Sequence, residues 1–148
     1  MFDSILFDLD GTLTDSFDGI AGGVLYALGE LGEQAPDKSE LKCFVGPPLL
    51  ESFTKRFCGD ERKAAQAVEF YREYYNDRGW KENKVYDGVE QTLAALKAAG
   101  KKLYVATSKP EIMSVRIIEH FGLNKYFDYV AGASLDKSRA EKAQVIEY

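Results

Sequence analysis

The stretch FDLDGTLTDS, Phe7–Ser16, decides how the rest of the chain is read. It ends the apolar run Ser4-Ile5-Leu6-Phe7, short enough for a buried strand, with Asp8 and Asp10 and then Gly11-Thr12. Residues two apart on an extended chain point to the same side. Parallel α/β sheets collect ligands beyond the carboxyl ends of their strands. Asp8 at such an end, and Asp10 in the turn just past it, are therefore candidate site residues. Gly11 lets the backbone bend sharply, and Thr12 adds a hydroxyl. Two carboxylates this close repel, which requires a cation between them or a raised pKa on one. Oxygen-only donors favour a hard ion such as Mg²⁺. One carboxylate could then attack phosphorus while its neighbour handles the leaving-group proton. Taken singly, each aspartate is more simply a turn residue that closes a strand.

Working outward, Lys102–Thr107 is a second apolar run and Tyr126–Ala133 a third. Between them, Glu111–Phe121 carries Ile112, Val115, Ile118 and Phe121 near helical spacing, with Pro110 at a tolerated first helical position. Gly88–Ala99 puts Val89, Leu93 and Leu96 on one helical face, and Gly100 is placed to end that helix. From Val85 onward the order is helix, strand, helix, strand, helix, which implies parallel strands joined by crossovers. From about Ser16 to Lys84 the pattern changes. Phe17–Leu31, Leu49–Phe57 and Asp60–Arg78 all look helical, with no convincing strand, and Gly46-Pro47-Pro48 is a stiff turn before the second. The expected organisation is an α/β core from residues 1–15 and 85–148, with an all-helical block, 16–84, inserted after the first strand. Two such lobes would leave a cleft between them.

Composition narrows the function classes. A chain of 148 residues, 45% hydrophobic and 29% charged, matches a globular protein of one ordinary domain. A net charge of −5 without a long basic run argues against nucleic acid or an anionic membrane as the main partner. No apolar segment approaches the roughly 20 residues of a membrane span, and no signal-peptide pattern precedes the first strand. Cys43 and Cys58 have no His or Cys at metal-site spacing, which suggests reduced thiols in a cytoplasmic protein.

The whole string Asp-x-Asp-Gly-Thr-Leu-Thr-Asp after an apolar N-terminal strand resembles motif I of the haloacid dehalogenase superfamily, in the phosphatase branch that includes phosphoglycolate phosphatases. The resemblance implies a Rossmann-like parallel core with an inserted helical cap that closes over the site and chooses the substrate. It implies that Asp8 is the nucleophile, forming an aspartyl-phosphate, and that Asp10 is the acid and base. Mg²⁺ would be held by the Asp8 carboxylate and the Asp10 carbonyl. Motif II matches LYVATSKP: Thr107 would bind the transferring phosphoryl group through its hydroxyl, and Ser108 through its N–H near a helix N-terminus. The plainer alternative has Thr107 and Ser108 capping that helix. Motif III, a lysine at the start of a later helix, best matches Lys142 in SRAEKAQVI, with Lys137 and Lys109 as second choices. Its ammonium would offset the charge of nucleophile and phosphate. FVGPPLLESF, Phe44–Phe53, resembles the substrate-facing turn of such caps, which makes Gly46, Pro47 and Pro48 substrate-binding candidates alongside Gly11 and Thr12. Tyr71, Tyr74 and Tyr75 read as cap packing, and His120 as a surface residue at a helix end.

Motif IV of the family, an acidic cluster after one further strand, has no match. The resemblance therefore implies a chain truncated before it, lacking roughly another 60 residues of a usual domain. On that basis metal affinity and turnover would be impaired. The first strand would be an exposed apolar edge open to self-association. The implied function is a Mg²⁺-dependent phosphatase for a small phosphate ester, such as a phosphoglycolate-like compound or a nucleotide monophosphate. A phosphomutase or phosphonatase on the same scaffold stays open. So does an inactive fragment that only binds phosphate or pairs with another chain.

Overall fold

The computed structural model describes residues 2–136, 138–139 and 142–147, so Lys137 lies outside the described residues. The chain divides into two compact units, Met1–Asp15 with Lys84–Tyr148, and Ser16–Asn83.

In the first unit the sheet is built from β1 (Ser4–Phe7), β4 (Lys102–Pro110) and β5 (Tyr129–Ala133), in the order β1-β4-β5. Both pairings are parallel, with Phe7 opposite Val105 and Val105 opposite Val130. Parallel neighbours need crossovers, and helices supply them. The link from β4 to β5 is α5 (Glu111–His120), and β4 is preceded by α4 (Val89–Ala98). The last described helix, α6, is Lys142–Glu147. Central β4 buries Leu103, Val105 and Ala106, and Leu93, Ile117, Ile118, Leu123 and Val145 complete the core of this unit. Gly100 ends α4 in a left-handed conformation (φ 76°), its N–H donating to the Lys97 carbonyl at 2.9 Å.

Three details differ from the sequence expectation. Two-residue strands β2 (Thr14–Asp15) and β3 (Lys84–Val85) form an antiparallel ribbon. Two residues are too short to show a strand period. The β4 strand runs on to Pro110, which keeps an extended conformation (φ −52°, ψ 132°) and caps α5 instead of opening it. The third strand starts at Tyr129, after a 3₁₀ turn over Asn124–Tyr126.

The second unit is helical: α1 (Phe17–Glu30), α2 (Leu49–Arg56) and α3 (Glu61–Asp77), with 3₁₀ turns at Lys38–Phe44 and Gly79–Lys81. Small residues on α1 let it approach α3 closely. A Cβ on Gly23 would lie 2.7 Å from the Tyr71 ring, and one on Gly22 2.5 Å from the Tyr74 hydroxyl. Tyr71 and Tyr75 are buried and stacked, with centroids 5.3 Å apart, and Phe53 is fully buried between Phe44 and Phe57. Tyr74 donates to Glu82 at 2.7 Å, and burial first, then that bond, raises its pKa above the ordinary phenol value.

Candidate active site

Parallel register sets the site. Phe7 is opposite Val105, so Asp8 is one step beyond that pair on β1, while Thr107 is two steps beyond it on β4. Asp8 follows the carboxyl end of β1 and Thr107 lies in the carboxyl-terminal half of β4, the side on which α/β sheets place ligands. The chain then turns around Leu9, whose side chain is fully buried and whose carbonyl accepts from Thr12, Leu13 and Thr14 N–H at 3.0–3.2 Å. Gly11 takes φ 79°, which favours glycine, and its N–H donates to the Thr14 carbonyl at 2.8 Å. Gly11 and Thr12 are exposed at this turn.

Each aspartate has its own lysine. One Asp8 oxygen accepts the Leu9 N–H at 2.9 Å, and the other lies 2.7 Å from Lys142 Nζ at the start of α6. Asp8 and Lys142 are 36% and 43% exposed, open to a ligand. Asp10 Oδ2 lies 3.1 Å from Lys109 Nζ, and this pair is nearly enclosed, at 10% and 8% exposure. Asp10 Oδ1 is buried with no hydrogen-bond partner among the described residues. Sequence reasoning had ranked Lys109 only as a second choice for the role given to Lys142. Its position two residues past Thr107, on the strand beside Asp8, was the signal that could have separated the two tasks.

Thr107 is buried, and its hydroxyl accepts the Lys109 N–H at 3.2 Å. Ser108 stays within β4, three residues before α5 begins, where the pairing with β5 shifts between Ala106 and Pro110. Thr107 and Ser108 are therefore not helix caps; Pro110 has that position. Gly46, Pro47 and Pro48 belong to the helical unit, as an exposed turn entering α2 in which Gly46 has φ 105°. His120 ends α5, with its ring centroid 5.0 Å from that of Phe121.

Among the described residues no group of three or more His, Cys, Asp or Glu could hold a metal ion. Mg²⁺ asks for less: it keeps several waters and uses one or two carboxylates with substrate phosphates. The Asp10–Thr14 bridge is made by the N–H of Thr14 and of Gly11, so the Asp10 carbonyl takes no part in it. That carbonyl and the half-exposed Asp8 carboxylate are hard oxygen donors of the kind Mg²⁺ accepts.

A family model described as haloacid dehalogenase-like hydrolase matches residues 5–146. The chain belongs to the haloacid dehalogenase-like hydrolases. Among curated relatives, a 5'-nucleotidase of Pseudomonas aeruginosa is 44% identical over 147 residues, covering 99% of the chain and 66% of the relative. A tyrosine-protein kinase, PtkA, of Mycobacterium tuberculosis is 43% identical, covering 97% of the chain and 49% of the relative. The crystal structure of a predicted phosphatase from Clostridium acetobutylicum superposes with a TM-score of 0.95 at 49% identity, covering 100% of the chain and 68% of that protein. The haloacid dehalogenase-like chain thus spans about half to two thirds of the length of these relatives. None of its described helices is long and apolar enough to cross a membrane.

Proposed function

We propose that this chain carries the nucleophile and the acid–base group of a Mg²⁺-dependent phosphomonoesterase working through an aspartyl-phosphate. The observation that supports this reading best is the pairing of two strand-end carboxylates with two separate ammoniums, Asp8 with Lys142 and Asp10 with Lys109. In the first half-reaction an Asp8 oxygen bonds to phosphorus as the bond from phosphorus to the ester oxygen breaks. Asp10, as the carboxylic acid, gives that oxygen its proton. In the second half-reaction Asp10, now a carboxylate, takes a proton from the water that attacks phosphorus. The bond from Asp8 to phosphorus then breaks, and inorganic phosphate leaves. The Thr107 hydroxyl and the Ser108 N–H hold phosphoryl oxygens, Gly11 and Thr12 line the same turn, and Lys142 offsets negative charge where it accumulates. The Asp8 carboxylate and the Asp10 carbonyl would hold Mg²⁺, which would supply charge neutralisation for the transferring phosphoryl group. The exposed Gly46-Pro47-Pro48 turn is the substrate-selecting element in this reading.

The substrate is a small phosphorylated metabolite. A relative named 5'-nucleotidase supports a nucleotide monophosphate, with a phosphoglycolate-like ester as the second candidate. The equally similar relative named as a tyrosine kinase makes a direct assay decisive. Two exposed free thiols, Cys43 and Cys58, suit a reducing cytoplasm.

The test is phosphate release from p-nitrophenyl phosphate and from nucleoside monophosphates with Mg²⁺ present. Asp8→Asn should lower turnover by about 10⁴-fold or more, as removal of a nucleophile does. Chelation of Mg²⁺ should stop turnover reversibly. Undiminished hydrolysis by Asp8→Asn would falsify the reading.

A further inference from the structure

Resting on that reading, we propose that Lys109 is a positioning residue for Asp10: its ammonium holds Oδ2 and so sets the orientation of the carboxyl group that exchanges the proton. Lysine is rarely enclosed unless paired, and the Lys109 side chain is only 8% exposed with its ammonium 3.1 Å from Asp10 Oδ2. Lys142 cannot share this task, because its ammonium faces Asp8.

The backbone of Lys109 is fixed from two sides. Its N–H donates to Thr107 Oγ1, and its carbonyl packs on β5 so closely that a Cβ on Gly132 would lie 2.6 Å away. It occupies the stretch where β4 breaks register with β5, next to Pro110. A lysine on a rigid, irregular strand end presents its ammonium at one place, and Asp10 Oδ2 occupies that place. The other oxygen, Oδ1, is buried and without a partner among the described residues. Buried acceptors are seldom left unpaired, and an exception at such a site calls for a task. With Oδ1 enclosed and Oδ2 held by the ammonium, the carboxyl group keeps one orientation in the turn. As the bond from phosphorus to the ester oxygen breaks, the proton on the Asp10 carboxyl group passes to that oxygen. When water attacks the phospho-enzyme, the Asp10 carboxylate receives a proton back.

The experiment compares the unsubstituted chain, Lys109→Met and Lys109→Arg on two esters. p-Nitrophenolate leaves without a proton, whereas the alkoxide of a nucleoside 5'-monophosphate requires one. The parameter read is kcat/KM, which covers the steps up to phosphorylation of Asp8. Lys109→Met should lose about 100-fold on the nucleotide, within the range of general acid catalysis, and only a few-fold on the aryl ester. Lys109→Arg should recover most of that loss. Equal losses on both esters, a change in KM alone, or no loss overturns the inference. Independently of turnover, Asp10→Asn and Lys109→Met should each shift the melting temperature, and the double variant should shift it by less than the sum. Additive shifts also overturn the inference. If the unsubstituted chain and Asp8→Asn hydrolyse neither ester, the phosphatase reading itself fails. If Asp8→Asn alone abolishes turnover and Lys109→Met shows no ester dependence, only the role of Lys109 fails.

Discussion

Lys142 and Lys109 are both lysines 3.1 Å or less from a carboxylate oxygen, yet burial separates what they do. The Asp8–Lys142 pair is about two-fifths exposed, and ion pairs in that setting contribute about 0–1 kcal/mol to stability. Lys142→Met should therefore change the unfolding free energy by less than about 1 kcal/mol in urea titration. On the proposed mechanism its turnover should fall by about 10²–10³-fold, because that reading aims the Lys142 charge at the developing phosphoryl charge. Large destabilisation with unchanged turnover would contradict this assignment. Gly132 is the other decisive single position. A Cβ there would meet the Glu111 Cα and the Lys109 carbonyl oxygen at 2.6 Å and the Glu111 N at 2.7 Å, all backbone atoms that cannot swing aside. Gly132→Ala should cost about 1–3 kcal/mol of stability, measured by chemical denaturation, as overpacking does.

At the scale of elements, α1 shows how packing overrides propensity. Alanine is preferred to glycine inside a helix by roughly 1 kcal/mol. Gly29 has nothing within 4 Å of an added Cβ, so Gly29→Ala should raise stability by about 0.5–1 kcal/mol. Gly23 lies against the buried Tyr71 ring, which is stacked on Tyr75 and has no room to retreat. Gly23→Ala should lower stability by about 1–3 kcal/mol. Opposite signs for the same substitution on one helix are the result expected from paired urea titrations of the two variants. The sequence reading recognised α1 as a helix and gave its glycines no role. Their meaning comes from α3, a separate segment whose approach sets which glycines are crowded.

Across the α/β unit, Asp128 ties three elements together. Its Oδ2 accepts from Lys97 Nζ at the end of α4 and from the Leu103 N–H on β4, each at 2.9 Å, just before β5 begins. The Lys97 ammonium first, then the Leu103 N–H, holds the Asp128 carboxyl below its ordinary pKa. A depressed folded-state pKa means that the ionised form favours folding. That stabilisation is fully present above the ordinary aspartate value of about 3.9 and is lost as pH falls through the folded-state value. The melting temperature of Asp128→Asn should therefore lie below that of the unsubstituted chain at pH 7, with the gap closing as the solution is acidified. A gap that stays constant into strong acid would show that the carboxylate charge is not what links the elements. Asp136, on the loop after the other end of β5, behaves similarly. Hydrogen bonds from the Ser134 hydroxyl, then from the Ser138 N–H and hydroxyl, lower its pKa to about 2.

The sequence by itself determined the class of fold and singled out the two aspartates as candidates. Alternation of apolar runs with helical periods implies a parallel sheet, and Asp-x-Asp-Gly-Thr at a strand end is a local pattern whose geometry needs no distant partner. Thr107 was offered by the resemblance of LYVATSKP to motif II, not by periodicity. Tertiary structure decided which lysine faces which carboxylate. Lys109 and Lys142 are brought to Asp10 and Asp8 by the register of β4 beside β1 and by the start of α6. The ribbon of β2 and β3 was equally hidden, since two residues carry no period and their partners lie far apart in the chain. Periodicity and turn chemistry are properties of neighbouring residues, whereas charge pairing, burial and close approach depend on segments that only folding brings together.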